Sequence, residues 1–420
     1  MEPVIFLVMV GVFAVAAFAA KFPISLSMLL GAVGGLLVSG MEFELRHLVE
    51  GTFGYVDTIL VIATAMIFMV TVKESGALDS LNIVIIRRFH QRPVLLLPLL
   101  MFVAMFPGLI TGSSSAAVLT AGAVVAPVLM ILGMPRPIAG AFIAIAGILG
   151  MIAPPVNIPA MIIGGGIDMP FVGFEVPLLL LTVPLAIVFA WWIGLRSVHK
   201  TDWEKLKGEL DIETFERYGF RLFIPVILVV VLMVLGKVYP QVFGLGLPLI
   251  FVIGTAASTV VGKRFNILAA AKSAVDDALP VLGILAGVGM FIQVMTLTGV
   301  RGFVVVGALS VSPALLYLAI AVTMPLFGAV SSFGSASVLG VPFLLALLGK
   351  DQIVTASALS LMASLGDFMP PTALSAIFAA QVVGEEGYGR VLRVLLLPSV
   401  VIAGWAILFI LFAQQIGMLY

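Results

Sequence analysis

Apolar runs long enough to cross a membrane follow one another along nearly the whole chain. A spanning helix needs about 20 mostly apolar residues, and such stretches recur between residues 3 and 415, with one long hydrophilic interruption at 196–221. Of the 420 residues, 62% are hydrophobic and 10% are charged, whereas about a quarter of an ordinary soluble domain is charged. The sequence therefore predicts an all-α polytopic membrane protein.

Charge and rare residue types exclude several functions. The 21 basic and 21 acidic side chains cancel, so the chain has no net positive charge with which to bind nucleic acid. It contains no cysteine, which rules out disulfides, thiolate metal sites and cysteine nucleophiles. Its three histidines lack the spacing of a zinc site, and no organic cofactor is expected.

Landmarks recur in the two halves of the chain at a nearly constant separation. The motif G-x-x-x-P-P occurs at Gly150–Pro155 and, 216 residues later, at Gly366–Pro371. A Gly/Ser motif at Gly112–Leu119 has a shorter echo at Gly334–Leu339. A repeat this long indicates an internal duplication. We therefore expect a first repeat at 1–195, an amphipathic linker at 196–221 and a second repeat at 222–420.

The two repeats are predicted to have opposite orientations in the membrane. In each half, two apolar segments joined by small polar residues suggest a re-entrant hairpin, which leaves five crossings. An odd number of crossings inverts the second repeat. With both termini outside, 17 Lys and Arg residues fall on the linker side and four on the other. Because cytoplasmic loops are enriched in Lys and Arg, the linker is predicted to be cytoplasmic.

The hairpins and the Pro-Pro breaks carry the candidate chemistry. Each break removes backbone donors and leaves carbonyls that a small hard cation can bind. Serine and threonine hydroxyls add neutral oxygens, and helix N-termini can receive an anion. Asp367 is an ionisable group inside an apolar span and should find a cation or a proton, whereas its equivalent in the first half is Met151. Discontinuous helices in inverted repeats are typical of secondary transporters.

The motifs resemble those of a known family. The run Phe106–Ala116, the pair Ala126-Pro127, the segment Leu149–Pro155 and the motif Gly366–Pro371 are similar to the large membrane subunit of TRAP (tripartite ATP-independent periplasmic) transporters, in the ion transporter superfamily. The resemblance implies an elevator-type, Na⁺-coupled importer of small organic anions, often C4-dicarboxylates or sialic acid. It also implies a bacterial or archaeal inner membrane, a periplasmic binding protein and a small four-helix subunit.

Carried over position by position, the resemblance places Na⁺ at each hairpin and break, with the substrate between them. It assigns substrate binding to Thr111, Ser114, Ser115, Asn157, Ser335, Ser337 and Thr372. It assigns ion binding, in part through backbone carbonyls, to Gly112, Ser113, Pro154, Pro155, Ser331, Ser332, Gly334, Asp367 and Pro370.

The second half departs from the family pattern, and alternatives stay open. The family's second hairpin usually carries an acidic residue and its break usually reads T-P-P-x-G, whereas this break reads Met369–Ala373. A stand-alone Na⁺- or H⁺-coupled carboxylate carrier of the same superfamily is the close alternative. An intramembrane aspartyl protease built on Asp367 would need a second carboxylate in an earlier span. A passive channel would need a continuous polar lining.

Overall fold

A computed structural model describes residues 1–41, 45–198 and 212–419 of the chain, and these residues form helices without any strand. Half of the predicted linker, residues 199–211, lies outside the described residues. The α-helices of the first half are α1 Glu2–Ala14, α2 Ile24–Ser39, α3 Leu45–Phe53, α4 Val56–Glu74, α5 Ala77–Phe89, α6 Pro93–Thr111, α7 Ser114–Ala117, α8 Ala123–Ile131, α9 Arg136–Ile152, α10 Ile158–Gly165 and α11 Glu175–Gly194.

The second half continues in the same way from the end of the linker. Its α-helices are α12 Ile212–Tyr218, α13 Ile224–Val238, α14 Pro240–Phe243, α15 Gly246–Val260, α16 Ile267–Leu297, α17 Val300–Leu309, α18 Pro313–Gly328, α19 Ser332–Ser335, α20 Val341–Ala346, α21 Gln352–Ser364, α22 Leu374–Val382, α23 Tyr388–Leu411 and α24 Ala413–Gly417. Three π-helical segments, Val15–Ala19, Val118–Gly122 and Ala336–Gly340, and two 3₁₀ segments, Gly219–Phe223 and Leu365–Phe368, extend these helices.

Eight helical segments of the described chain are long and apolar enough to cross a membrane. The segment Pro93–Thr111 is the most enclosed, since 61% of its most apolar 18-residue stretch is buried. The least enclosed is Glu213–Val238, with 17%. The prediction of an all-α, multi-pass membrane protein is therefore confirmed. Both arms of the first hairpin reach spanning length, so length does not favour a re-entrant path, and that path stays a prediction.

The helices pack as two groups. Helices α1 to α4 pack with α13, α15, α16 and α17, and we call this group the scaffold. Helices α6 to α11 pack with α18 to α23, and this group, which holds both hairpins and both Pro-Pro breaks, is called the hairpin unit. Helix α5 lies between them and contacts α4, α6 and α12.

The short helices α5 and α17 correspond to each other in the two halves, but the helices before them differ. Gly76 and Gly299 both adopt a left-handed backbone and begin the helices α5 and α17. Before them, the second half has the single 31-residue helix α16, whereas the first half divides the same length into α3 and α4 at Gly54 and Tyr55. Helices α3, α5 and α17 are shorter helices that lie between the long ones.

Candidate functional site

The first hairpin turns at a glycine and a serine. Gly112 ends α6 in the left-handed conformation, which glycine adopts without steric cost. Ser113 is extended, and its hydroxyl accepts the N–H of Ala116, 3.2 Å away. This N-cap begins a four-residue α-helical turn that passes into the π segment Val118–Gly122. The sequence Gly-Ser therefore sets both the end of one arm and the start of the next.

The second hairpin repeats this geometry at an offset of 218 residues. Ser331 is the N-cap, and its hydroxyl accepts the N–H of Gly334 at 3.1 Å. A four-residue α-helical turn and a five-residue π segment follow, as in the first hairpin. Ser113 thus corresponds to Ser331, and Gly334 corresponds to Ala116. The sequence motifs paired Gly112 with Gly334, and this pairing is wrong. The two glycines are the same residue type but occupy different positions relative to the cap serine.

Both helix breaks have the form that the prolines impose. The residue before each proline pair, Ala153 or Met369, is extended and ends its helix, as expected for a residue that precedes proline. Both Pro-Pro bonds are cis. The first residue after each pair then bonds to the opposing hairpin arm. Val156 donates its N–H to the Leu109 carbonyl, and Thr372 donates its N–H to the Ala329 carbonyl, each at 3.2 Å.

Glycines let each hairpin arm cross its broken helix at backbone contact distance. In the first half Gly108 lies against Gly150, where an added Cβ would stand 2.9 Å from the Gly150 carbonyl carbon. In the second half Gly366 lies against the backbone of Gly328, and a Cβ there would overlap it. The crossing lies five residues before the cap serine in the first hairpin and three before it in the second. The first loop is therefore two residues longer.

The two halves exchange contacts around a pseudo-symmetric centre. After the first break, Asn157 donates from its amide nitrogen to Ser360 Oγ at 2.9 Å. After the second break, Ser375 donates its hydroxyl to the Ala144 carbonyl at 3.1 Å. Ser360 and Ala144 are separated by 216 residues, the same offset as the two proline motifs. Each half-helix thus packs on the helix that precedes the other break.

Asp367 joins the two hairpins at this centre. Asp367 is 4% exposed, and its carboxyl group accepts a hydrogen bond from Ser114 Oγ, 253 residues away in the chain. The Ser332 hydroxyl, on the second hairpin, also interacts with this carboxyl. Ser114 and Ser332 are the residues that follow the two cap serines, so equivalent hydroxyls converge on one acid. Hydrogen bonds to a charged group contribute about 1.5–3 kcal/mol each.

The other predicted site residues divide into two sets. Asn157 is fully buried and also caps α10, accepting the N–H of Ala160 at 2.9 Å. Thr372 donates its hydroxyl to the Ala329 carbonyl at 2.7 Å and thereby ties the second break to the second hairpin. By contrast, three hydroxyls bond carbonyls of their own hairpin: Thr111 to Pro107, Ser335 to Met324 and Ser337 to Gly334.

Around the proline pairs, exposure differs between the halves. Pro154 and Pro155 are half-buried, whereas Pro370 and Pro371 are exposed. Ser115 is half-buried, as are both cap serines. The second break is therefore more exposed than the first, although the backbone plan is the same.

Sequence reasoning missed the polar face of α21. Ser357, Ser360 and Ser364 are fully buried, and each hydroxyl donates to a carbonyl one turn earlier in the same helix. Their spacing of three and four residues places them on one face of the helix. That spacing was readable in the sequence and would have predicted a polar stripe leading to Asp367.

The donors at this centre are hard oxygen atoms from hydroxyls, carbonyls and one carboxylate. Such ligands suit small alkali and alkaline-earth cations and not soft transition metals. Within residues 1–41, 45–198 and 212–419, no group of three or more His, Cys, Asp or Glu side chains could hold a metal ion. A cation at this centre would therefore bind mostly neutral oxygens, with Asp367 as its counter-charge.

A family model decides what kind of protein has this centre. Residues 7–416 match the model described as "Tripartite ATP-independent periplasmic transporter, DctM component". The chain belongs to the DctM family. It is thus the large subunit of a TRAP-type secondary transporter, and the family is one of transporters and not of enzymes, which removes the protease reading of Asp367. No curated protein matches the chain significantly.

Solved structures share the fold of this DctM-family chain. The YdaH transporter of Alcanivorax borkumensis superposes with a TM-score of 0.62 at 18% identity, covering 87% of each chain. MtrF of Neisseria gonorrhoeae, described with a class of antimetabolite efflux pumps, superposes with a TM-score of 0.59 at 13% identity, covering 88% of this chain and 84% of its own. At these identities the likeness concerns the fold alone.

Proposed function

We propose that this chain imports a small organic anion, such as a dicarboxylate, in symport with Na⁺. The observation that carries the proposal is the convergence of Ser114 and Ser332 on the buried Asp367. A buried carboxylate is costly without a proton or a cation, and this one lies where the hairpins and both halves meet. An ion that arrives there neutralises Asp367 and draws the two hairpin loops together.

The neighbouring hydroxyls and amides would then receive the anion. Ser115 and the cap serines are partly exposed, and the helical turns that follow the caps direct N–H groups toward the same region. A carboxylate is the ligand that such donors recognise best. In this arrangement ion binding orders the loops and the loops bind the substrate, so transport of the two is coupled.

The transport step would be a movement of the hairpin unit past the scaffold. Between the two groups, Tyr55 donates its hydroxyl to the Ile162 carbonyl of α10 at 3.0 Å. Tyr55 stands where the scaffold helix divides into α3 and α4. The hydrogen bond and the junction between α3 and α4 both lie beside the hairpin unit. An elevator movement would break such a contact and would bend the scaffold at such a junction.

The proposal includes the partners and the location of the chain. Membership of the DctM family supports assembly with a small membrane subunit and a periplasmic substrate-binding protein. We place the complex in the inner membrane of a prokaryotic cell, with both termini outside, on the basis of the Lys and Arg distribution.

Reconstitution into liposomes tests these points together. We would measure uptake of labelled C4-dicarboxylates and sialic acid by the chain alone and with its binding protein and small subunit. The expected result is uptake only by the complete assembly and only with an inward Na⁺ gradient. Uptake by the lone chain would favour the stand-alone carrier, and uptake driven by a proton gradient in choline buffer would contradict Na⁺ coupling.

A further inference from the structure

A groove runs along α5 on the side that faces the end of the linker. One part of it is a cavity of about 340 Å³ lined by Val84, Arg87, Arg88, Phe215 and Phe220. The other part is a cleft of about 210 Å³ between the earlier turns of α5 and the start of α13. Leu81 lines the cleft, Val84 lines the cavity, and this spacing places both parts along one stripe of α5.

Within residues 1–41, 45–198 and 212–419, the cavity is a cationic site without an ion-paired counter-charge. Arg87 and Arg88 are both exposed. Among the residues that the structure describes, neither guanidinium forms an ion pair with a carboxylate. Arginine binds phosphate in a bidentate manner and keeps its charge at all physiological pH values. Two such side chains beside each other attract a ligand of net negative charge.

The cleft, in contrast, has only apolar walls. Its lining includes Leu81 from α5, Phe106 from α6, and Phe223 and Ile227 after the linker. Ile227 is 57% exposed, in the least enclosed of the candidate spans. An exposed apolar cleft in a span faces hydrocarbon, and an acyl chain fills it without any polar partner.

We propose that the groove binds an anionic glycerophospholipid, with its phosphate at Arg87 and Arg88 and an acyl chain in the apolar cleft. A soluble anion would use only the arginines and would gain nothing from the cleft. A zwitterionic lipid would also fill the cleft, but the cationic group of its head group would lie beside the two arginines and repel them. Basic pockets between membrane helices bind anionic head groups in this way.

The lipid would connect parts of the protein that lie on either side of α5. The arginines belong to α5, and Phe106 belongs to the first hairpin arm, directly before Pro107 and the crossing residue Gly108. The acyl chain therefore touches the arm that leads to Ser113 and Ser114. Lipid occupancy is expected to stabilise that arm against α5.

Native mass spectrometry of the purified chain in detergent tests the proposal. The probes are phosphatidylglycerol, phosphatidylcholine with the same acyl chains, and glycerophosphoglycerol, which has the head group but no acyl chain. The test variant is Arg87→Gln with Arg88→Gln. The matched control is Arg264→Gln with Lys272→Gln, which removes two exposed charges outside the groove.

We expect phosphatidylglycerol to bind wild type and the control variant with equal affinity and the test variant about 30-fold more weakly. Equal binding by the test variant would overturn the site, and equal binding of glycerophosphoglycerol would show a soluble-phosphate site instead of a lipid site. Equal affinity for phosphatidylcholine would also overturn it. Displacement of bound lipid by the small subunit would show that a protein is the natural occupant. The melting temperature of the test variant is measured as well, to show that the variant is folded. Because Arg87 and Arg88 are exposed, we expect it to equal that of wild type.

Discussion

The two hairpin-and-break motifs have the same backbone plan but different chemistry. Both use a cap serine, a π segment and a cis Pro-Pro pair. At the position three residues before each proline pair, however, the first has the apolar Met151 and the second has Asp367. The first half-helix starts with the side-chain cap of Asn157, whereas the second starts at Ala373, which has no side-chain cap and a φ of +42°.

This difference indicates a division of labour after duplication. The neutral half is held by side-chain hydrogen bonds of Asn157 to both halves. The charged half has fewer such bonds at its break and, among the described residues, holds the one acid that the hairpin serines contact. Its stability is therefore expected to depend on what binds Asp367. Under the proposed function, we expect the first half to act as the fixed partner and the second half to respond to a bound ion.

The largest expected effect is a difference in stability between Gly→Ala variants at the two backbone crossings. For Gly366→Ala we expect more than about 3 kcal/mol of destabilisation, because the new Cβ would overlap the Gly328 backbone. Gly108→Ala should cost about 1–3 kcal/mol, since its closest contact is 2.9 Å. Thermal unfolding in detergent measures both. Gly404→Ala, with nothing within 4 Å, is the control, and an equal loss in all three variants would contradict the close crossing.

The charge difference predicts that transport is sensitive to substitution at Asp367 and insensitive at the equivalent Met151. Asp367→Asn keeps the size and an acceptor for Ser114 but removes the charge, so we expect ion-dependent uptake to fall by about tenfold or more. Met151→Leu conserves volume and should leave uptake within about twofold of wild type. The measurement is initial uptake against Na⁺ concentration at two pH values. A wild-type Na⁺ profile in Asp367→Asn would reduce Asp367 to a structural role.

The caps of the half-helices give a smaller difference in stability. Asn157→Ala removes the cap of α10 and the buried bonds to Ser360 and the Ile152 carbonyl, with an expected cost of about 2–3 kcal/mol. Asn266→Ala is a matched control, because Asn266 also caps a helix but is exposed, and it should cost about 1 kcal/mol. Equal melting temperatures of the two variants would show that the contact between halves adds nothing.

The smallest effect has the opposite sign. Ala373 is in the left-handed region, where a Cβ costs about 1–2 kcal/mol relative to glycine. Part of that cost is offset by the greater flexibility of glycine in the unfolded chain. Ala373→Gly should therefore raise stability by about 0.5–1 kcal/mol, read from the denaturation midpoint. A loss of stability would show that the αL conformation at the second break is not a source of strain.

Much of the fold and part of the site could be predicted without coordinates. Apolar length alone predicts membrane helices, because each span must satisfy its own backbone in hydrocarbon. The proline pairs predict where α9 and the 3₁₀ turn after α21 end, since proline removes local donors. Asp367 could be predicted as a site residue because an ionisable group inside an apolar span is costly and usually has a functional role. The inverted orientation of the repeats and the boundaries of the domains stay predictions.

The tertiary structure decided which residues meet. No local pattern in the sequence connects Ser114 to Asp367 or Asn157 to Ser360, because these contacts depend on how two repeats pack and not on either repeat alone. The same holds for the pairing of Ser113 with Ser331, which is defined by backbone conformation, and for the crossing of Gly366 with Gly328. The sequence by itself determined a helical DctM-family transporter with one charged break. Packing of the two halves placed that charge beside two equivalent serines, because the glycine crossings only hold each hairpin against its own break and the contacts between halves join one break to the other repeat.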